Sequence, residues 1–232
     1  MSLPPDSLSA LIPAAGSGER MGGCAKAFLE SGGATLLERA VERACAVAGE
    51  VLVGLRAEEL ERGETLLSDR PVGVHLGGPS RHDTIRALLA RSSRPWILVH
   101  DAARPFASPA LFAAVIAAAA EHGAAVPGLP ASPRDALARR DGDFVVGFLS
   151  RDEVVLTQTP VVVRRDLLEE AFRMADGEAA AVDSFAHLLG RAGHRLRLVP
   201  GEPENLKVTF PEDWALARDR LAGEKDSPPA AS

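Results

Sequence analysis

The chain has 232 residues, 46% of them hydrophobic and 25% charged, with a formal net charge of −6, a profile that fits one globular domain with a full apolar core. Acidity, an aromatic content of 4% and the lack of any Tyr argue against a general nucleic-acid surface or a base-stacking platform. Two cysteines, Cys24 and Cys45, are too few for a disulfide framework, no apolar run reaches the roughly 18 residues of a membrane span, and Met1–Ser9 lacks a secretory-signal pattern, so the expected location is cytoplasmic.

Leu8–Pro13 reads as a short strand that ends on a Gly-rich loop. Thr35–Ala46 has apolar residues at helical spacing behind Thr35 as N-cap. Val51–Leu55 reads as a buried strand, Ala57–Leu67 as a helix and Val72–Leu76 as a strand running into Gly77-Gly78-Pro79. Ser80 and Asp83 carry capping-box spacing before a helix at Arg81–Ala90. Trp96–His100 is a strand, Pro109–Glu121 a helix and Ala124–Gly128 a strand. This alternation predicts an α/β fold with a mostly parallel twisted sheet flanked by helices.

The pattern then breaks. Ala136–Ala138 and Phe144–Phe148 flank Asp141-Gly142, a hairpin signal, and a lone hairpin is marginal in water. It predicts a projecting arm at about 130–149 that packs on a second subunit. A strand near Val161–Val163, helices at Asp166–Met174 and Asp183–Ala192, strand-like stretches at Arg195–Pro200 and Asn205–Val208, and a helix at Pro211–Leu221 follow. The expectation is a single domain over residues 1–222, arm included, and a flexible tail over 223–232.

Ligands of open parallel sheets bind beyond the carboxyl ends of the strands, and three segments fall at such ends. Pro13-Ala14-Ala15-Gly16-Ser17-Gly18 is small enough for backbone N–H groups to approach phosphates. It is not a dinucleotide fingerprint, because Met21 replaces the third glycine and Val51–Leu55 ends without a ribose-binding acid. No Gly-Lys-Ser/Thr follows, so it is not a P-loop either; with Arg20 and Lys26 downstream it reads as a triphosphate cradle. The second segment is Gly77–Arg81. The third, His100–Arg104, sets Asp101 at a strand end, where one carboxylate with phosphate oxygens can hold Mg²⁺. Nothing has zinc-ligand spacing. Of the 26 basic residues only three are Lys, leaving 23 Arg. Lys225 lies in the tail, so Lys26 and Lys207 stand out in a chain that otherwise writes Arg.

Pro13–Met21, Val99-His100-Asp101-Ala102-Ala103-Arg104-Pro105, Gln158-Thr159-Pro160 and Asn205-Leu206-Lys207-Val208-Thr209 with Pro211-Glu212-Asp213 together resemble the 2-C-methyl-D-erythritol 4-phosphate cytidylyltransferase family, over about Ser9 to Leu221. Related ribitol-phosphate enzymes tend to carry Val at the second Ala of the central motif, which favours the erythritol branch. The resemblance implies a Rossmann-like nucleotidyltransferase fold, CTP and a polyol phosphate as substrates, Mg²⁺ or another divalent cation, and a homodimer joined through the arm, with no nucleic-acid or membrane partner. By position, it implies catalytic roles for Arg20, Lys26, Arg151 and Lys207. Pro13, Ala14, Ala15, Gly16, Ser17, Gly18, Gly77, Gly78, Arg81 and Thr84 would surround the nucleotide. Asp101, as metal ligand, would join Arg104, Arg151 and Lys207 at the acceptor. Asp183 falls near an acidic position of the family.

Three departures stand out. Ala25-Lys26-Ala27 replaces the usual Pro-Lys-Gln, which predicts a less rigid loop. Pro79 replaces a polar residue after the two glycines. Asp135-Ala136 replaces Asp-Thr on the arm and removes a hydroxyl expected at the acceptor phosphate, for which Ser132 is the nearby substitute. Another polyol phosphate such as ribitol 5-phosphate, or a non-catalytic nucleotide-binding relative, are the alternative readings.

Overall fold

The computed structural model describes residues 2–16, 18–175 and 184–224. Its elements in chain order are β1 (Leu8–Pro13), β2 (Glu30–Ser31), β3 (Ala34–Thr35), α1 (Leu36–Cys45), β4 (Glu50–Leu55), α2 (Leu60–Leu66), β5 (Gly73–Leu76), α3 (Arg81–Leu89), β6 (Trp96–Val99), α4 (Pro109–His122) and β7 (Ala124–Pro130). They continue with β8 (Leu137–Asp141), β9 (Phe144–Leu149), β10 (Val155–Thr157), β11 (Val161–Arg164), α5 (Arg165–Met174), α6 (Phe185–Arg191), β12 (Arg197–Pro200) and α7 (Pro211–Glu224). Gly223 and Glu224, expected in the tail, belong to α7; residues 225–232 lie outside the described residues, as does Asp183.

Local chemistry accounts for the helix starts. Thr35 accepts from the Glu38 N–H while the Glu38 carboxylate accepts from Thr35 N at 2.8 Å, a reciprocal cap contributing about 1 kcal/mol. Ser80 caps α3 through Asp83 N, but the Asp83 carboxylate accepts from the Ser80 hydroxyl at 2.6 Å in place of the backbone contact a full box requires. Ser108 caps α4, with Pro109 at the first helical position and Gly123 closing it in the left-handed conformation.

An eight-stranded sheet runs β5-β4-β1-β6-β11-β7, with β10 and β12 both pairing with β7. The pairs β1–β4, β1–β6, β4–β5 and β12–β7 are parallel, whereas β11 runs antiparallel to both β6 and β7 and β10 antiparallel to β7. The sequence reading missed β10 and the reversal of β11; Val161–Val163 is buried on both faces, so its uniform apolarity carries no directional signal. Leu8, Ala10 and Ile12 pack with α1 and α4 on one face of β1, and Leu11 with α3, α5 and α6 on the other. A third cluster of Leu36, Val208, Ala217 and Leu221 docks α7. The expected strand at Asn205–Val208 is a loop. Its backbone bonds are local turns plus Val208 N to Ala103 O at 2.8 Å, which turn it into the site. No helix among the described residues is long and apolar enough to cross a membrane.

β8 and β9 form a separate two-stranded sheet. Asp141 pairs with Phe144, so the two-residue loop is Gly142-Asp143, one position later than Asp141-Gly142. Gly142 takes φ +53°, and among the described residues no residue other than glycine has positive φ, which fits a type II′ turn with glycine first. Phe144, Val145, Val146 and Phe148 are 60–76% exposed, and Val155, Leu156 and Leu198 add further exposed apolar surface.

Candidate active site

The parallel strands β1, β5 and β6 deliver three loops to one end of the sheet. Between them lies a cleft of about 130 Å³ lined by Pro13–Gly16, Lys26, Arg81, Thr84, Asp101 and Lys207. A second cavity of about 80 Å³ is lined by Arg104, Gln158 and Thr159 and shares Arg81, Asp101 and Lys207 with the first. Those three residues therefore form a wall with a cavity on either side.

The wall is ionic. Arg81 meets Asp101 Oδ1 through Nε at 2.9 Å and Nη2 at 2.6 Å, and Lys207 Nζ lies 2.8 Å from Oδ2. Burial opposes ionisation of Asp101, but the Arg81 and Lys207 charges outweigh it and hold the carboxyl well below the usual carboxylate range. Arg81, expected to surround the nucleotide, is thus occupied by the carboxylate, though it still lines the cleft. Lys26 also faces the cleft. Burial, then the charges of Lys207 and Arg20, lower its pKa, the environment of a cation pressed among cations. One carboxylate facing Lys26, Lys207, Arg81 and Arg104 makes an electropositive site, suited to a polyphosphate.

Asp101 is fixed from behind. Its N–H donates to the Thr159 hydroxyl at 3.1 Å, and that hydroxyl lies 3.2 Å from His100 Nδ1. The Arg104 carbonyl, 3.2 Å from His100 Nε2, can only accept, so Nε2 carries the proton, and the neutral ring leaves Nδ1 to accept from the Thr159 hydroxyl. Burial pushes the His100 pKa down to about 4, which fits the neutral ring this network requires. Sequence reasoning gave no role to His100 or Thr159. Thr159 entered only as part of the Gln158-Thr159-Pro160 motif, with no contact assigned to its hydroxyl.

The loop glycines divide by cause. Gly18 sits at φ +67°, and a Cβ there would collide with the Cys24 carbonyl, so the fold itself demands glycine. At Gly16 a Cβ would meet nothing within 4 Å; no protein contact asks for glycine, and the space above the loop is open to a phosphate chain. Ser17 lies outside the described residues. A Cβ on Gly77 would come within 2.6 Å of Ala15 Cβ, so Gly77 lets the two loops touch. Neither Gly77 nor Gly78 is among the residues lining the cleft; the Gly78 N–H donates to Thr84 Oγ1 at 3.1 Å, and that hydroxyl donates back toward Ser80 O at 2.9 Å. Thr84 braces this loop rather than offering a free hydroxyl.

Three expectations change. The loop at Ala25-Lys26-Ala27 is anchored despite the lost proline: Ala27 and Phe28 are buried, and the Arg62 guanidinium lies 4.3 Å from the Phe28 ring centroid. Arg20 is at the mouth rather than in the lining, its guanidinium 6.0 Å from the Phe210 ring centroid. Arg151 is not brought into either cavity. It sits at the root of the arm and donates to Ser132 O, Pro133 O and Asp135 O. Arg104 is where its expected role needs it, donating to Asn205 O at 2.6 Å beside the second cavity.

Among the described residues no three His, Cys, Asp or Glu side chains gather as a metal cage. A single carboxylate beside a phosphate-sized cradle fits a hard cation held mainly by phosphate oxygens and water. Among the described residues Asp101 is the one carboxylate lining the two cavities, and a cation there would displace Arg81 or Lys207 from one of its oxygens.

The 2-C-methyl-D-erythritol 4-phosphate cytidylyltransferase family model matches residues 8–222. A protein of that description from Deinococcus radiodurans is 40% identical over 218 residues, covering 94% of this chain and 90% of that protein. The crystal structure of the corresponding protein from Thermus thermophilus superposes with a TM-score of 0.76 at 38% identity, covering 92% of this chain and 98% of the other. A 4-diphosphocytidyl-2C-methyl-D-erythritol synthase from Anaerococcus prevotii gives a TM-score of 0.81 at 26% identity, over 93% and 96% of the two chains.

Proposed function

Because the chain belongs to the 2-C-methyl-D-erythritol 4-phosphate cytidylyltransferase family, and so transfers CMP from CTP to 2-C-methyl-D-erythritol 4-phosphate with release of pyrophosphate, we propose how its two cavities divide that reaction. CTP occupies the cleft against Pro13–Gly16, the acceptor phosphate enters the cavity beside Arg104 and Thr159, and the reacting atoms meet at the shared wall. The observation that carries this reading is that Arg81, Asp101 and Lys207 line both cavities.

The acceptor phosphate is already anionic, so its oxygen attacks the α-phosphorus in line without a general base, and the α–β bridging oxygen leaves with pyrophosphate. Positioning and charge neutralisation supply the acceleration. Lys26 meets charge developing at the α-phosphoryl group, with Arg20 swinging in from Phe210 at the mouth. Arg104 and Lys207 hold the acceptor phosphate, and the buried neutral His100 and Thr159 keep Asp101 in place. Asp101 would hold Mg²⁺, which when bound would screen and polarise the phosphate oxygens.

The active form is a homodimer joined through the arm, in the cytoplasm. Support comes from Phe144, Val145, Val146 and Phe148, apolar side chains that a monomer leaves in water. Arg151, stranded at the arm's root in its own chain, then serves the partner subunit's acceptor cavity, and the arm loop containing Ser132 accompanies it. Mixing two crippled variants, Arg151→Ala and Lys207→Ala, tests this. After random reassociation half the dimers are mixed and carry one intact site of two, so about a quarter of wild-type activity returns. No recovery means that Arg151 acts within its own chain or not at all.

A further inference from the structure

Gln158 and Asn205 belong to two sequence motifs; Gln158 lines the second cavity, whereas Asn205 does not. Asn205 is fully buried and Gln158 nearly so, and together they staple the two motif loops. The Gln158 amide reads both backbone groups of Glu202: Nε2 donates to its carbonyl at 2.8 Å, and Oε1 accepts from its N–H at 3.1 Å. Asn205 Nδ2 donates to Thr159 O at 2.9 Å. Each of these bonds ends next to a functional group. Thr159 holds the Asp101 N–H, the Asn205 carbonyl receives Arg104 Nη1 at 2.6 Å, and Lys207 follows Asn205 by two residues.

Stability alone is a poor reason for this amide. Asn205 Oδ1 is buried without a hydrogen-bond partner among the described residues, and an unsatisfied buried acceptor costs stability that an apolar side chain would not. What only the amide supplies is the Nδ2 donor, which ties the Lys207 loop to the Thr159 loop.

We propose that Asn205 is a positioning residue for the acceptor phosphate. Stapled to Gln158 and Thr159, it sets Arg104 and Lys207 at a fixed distance from Asp101. The proposal rests on the assignment of Arg104 and Lys207 to the acceptor. Asn205 touches neither the loop at Pro13–Gly16 nor Lys26 through any of these bonds, so its loss falls chiefly on the acceptor, even though Lys207 lines both cavities.

The test is steady-state kinetics with both substrates varied, for Asn205→Ala, Lys207→Ala and the double variant, with melting temperatures alongside. Asn205→Ala should raise KM for the polyol phosphate by about tenfold, the scale of a small misplacement of a substrate-holding group, and leave KM for CTP within about twofold. On kcat/KM for the acceptor, the double variant should be no worse than Lys207→Ala alone by more than about twofold, because both changes disable one clamp. Gln158→Met, which keeps Asn205, removes the amide bonds to Glu202 and Asn205 and alters one side chain lining the second cavity, should give the same one-sided effect, and it provides the test should Asn205→Ala fail to fold. Equal changes in both KM values, no change in either, or fully additive losses would overturn the proposal. If Lys207→Ala itself leaves acceptor KM unchanged, the underlying assignment of Lys207 has failed instead.

Discussion

Replacing Asp101 by Asn is the perturbation whose consequences the geometry fixes most tightly. The carboxylate divides its oxygens between two cations, Oδ1 to Arg81 and Oδ2 to Lys207. Asn keeps the shape but has one acceptor oxygen; its amide nitrogen must face the other cation, donor against donor. Stranding a charge from a fully buried pair costs about 3–5 kcal/mol. Here the side chains of Arg81 and Lys207 remain 26% and 39% exposed, and water screening brings the expected loss down to about 2 kcal/mol. For a domain of this size that is a fall of about 4–8 °C in Tm. Turnover should fall much further, by about 10²–10³, because the group that orders both phosphate cations is lost. Circular dichroism melts and pyrophosphate release at neutral pH read the two effects. In a Lys207→Met background, the Tm cost of Asp101→Asn should shrink by at least half, since the repelled partner is gone. An Asn variant with wild-type Tm and turnover would refute the ionic wall as a working part of the site.

Lys26→Arg should lower kcat by about tenfold or more while CTP binding changes less, because a planar guanidinium does not fit a crowded single-oxygen contact; Lys207→Arg should instead lower kcat/KM for the polyol phosphate, and near-wild-type kinetics for both would mean that charge alone suffices. Deleting Ala136–Phe148 should convert a dimer into a monomer by light scattering and remove most activity; a full-length protein that is monomeric at micromolar concentration contradicts the arm's role. Glu50, at the far end of the sheet, is desolvated, yet hydrogen bonds from Ser9 and Ser93 outweigh that and lower its pKa. Its stabilisation is therefore present above the ordinary value of 4.5 and lost as pH falls below it, so Glu50→Gln should flatten the acid limb of a Tm–pH curve between about pH 5 and 3. An unchanged slope would count against that network.

Much of this was legible in the sequence for local reasons. Caps at Thr35 and Ser80 mark helix starts because side chain and backbone are neighbours in the chain. Lys26, Asp101 and Lys207 were found from residue type and strand-end position, and the fold brings all three to one cleft. What was hidden depends on distant partners. Arg81 was set beside the nucleotide, but its ion pair spans 20 residues to Asp101. The Thr159 hydroxyl acts across 58 residues, and nothing in its own neighbourhood announces that. Asn205–Val208 looks like a strand because Leu206 and Val208 alternate with polar residues, yet the residues it buries are Asn205 and Val208, and Arg151 is a residue that its own chain does not bring to the pocket.

The most direct test is pyrophosphate release from CTP with the acceptor varied. The account predicts release that requires 2-C-methyl-D-erythritol 4-phosphate, stops on chelation of divalent metal, and runs at least tenfold slower in kcat/KM with ribitol 5-phosphate, the kind of discrimination that about 1.4 kcal/mol of differential transition-state binding provides. Release that is independent of acceptor, or equally fast with ribitol 5-phosphate, would contradict it.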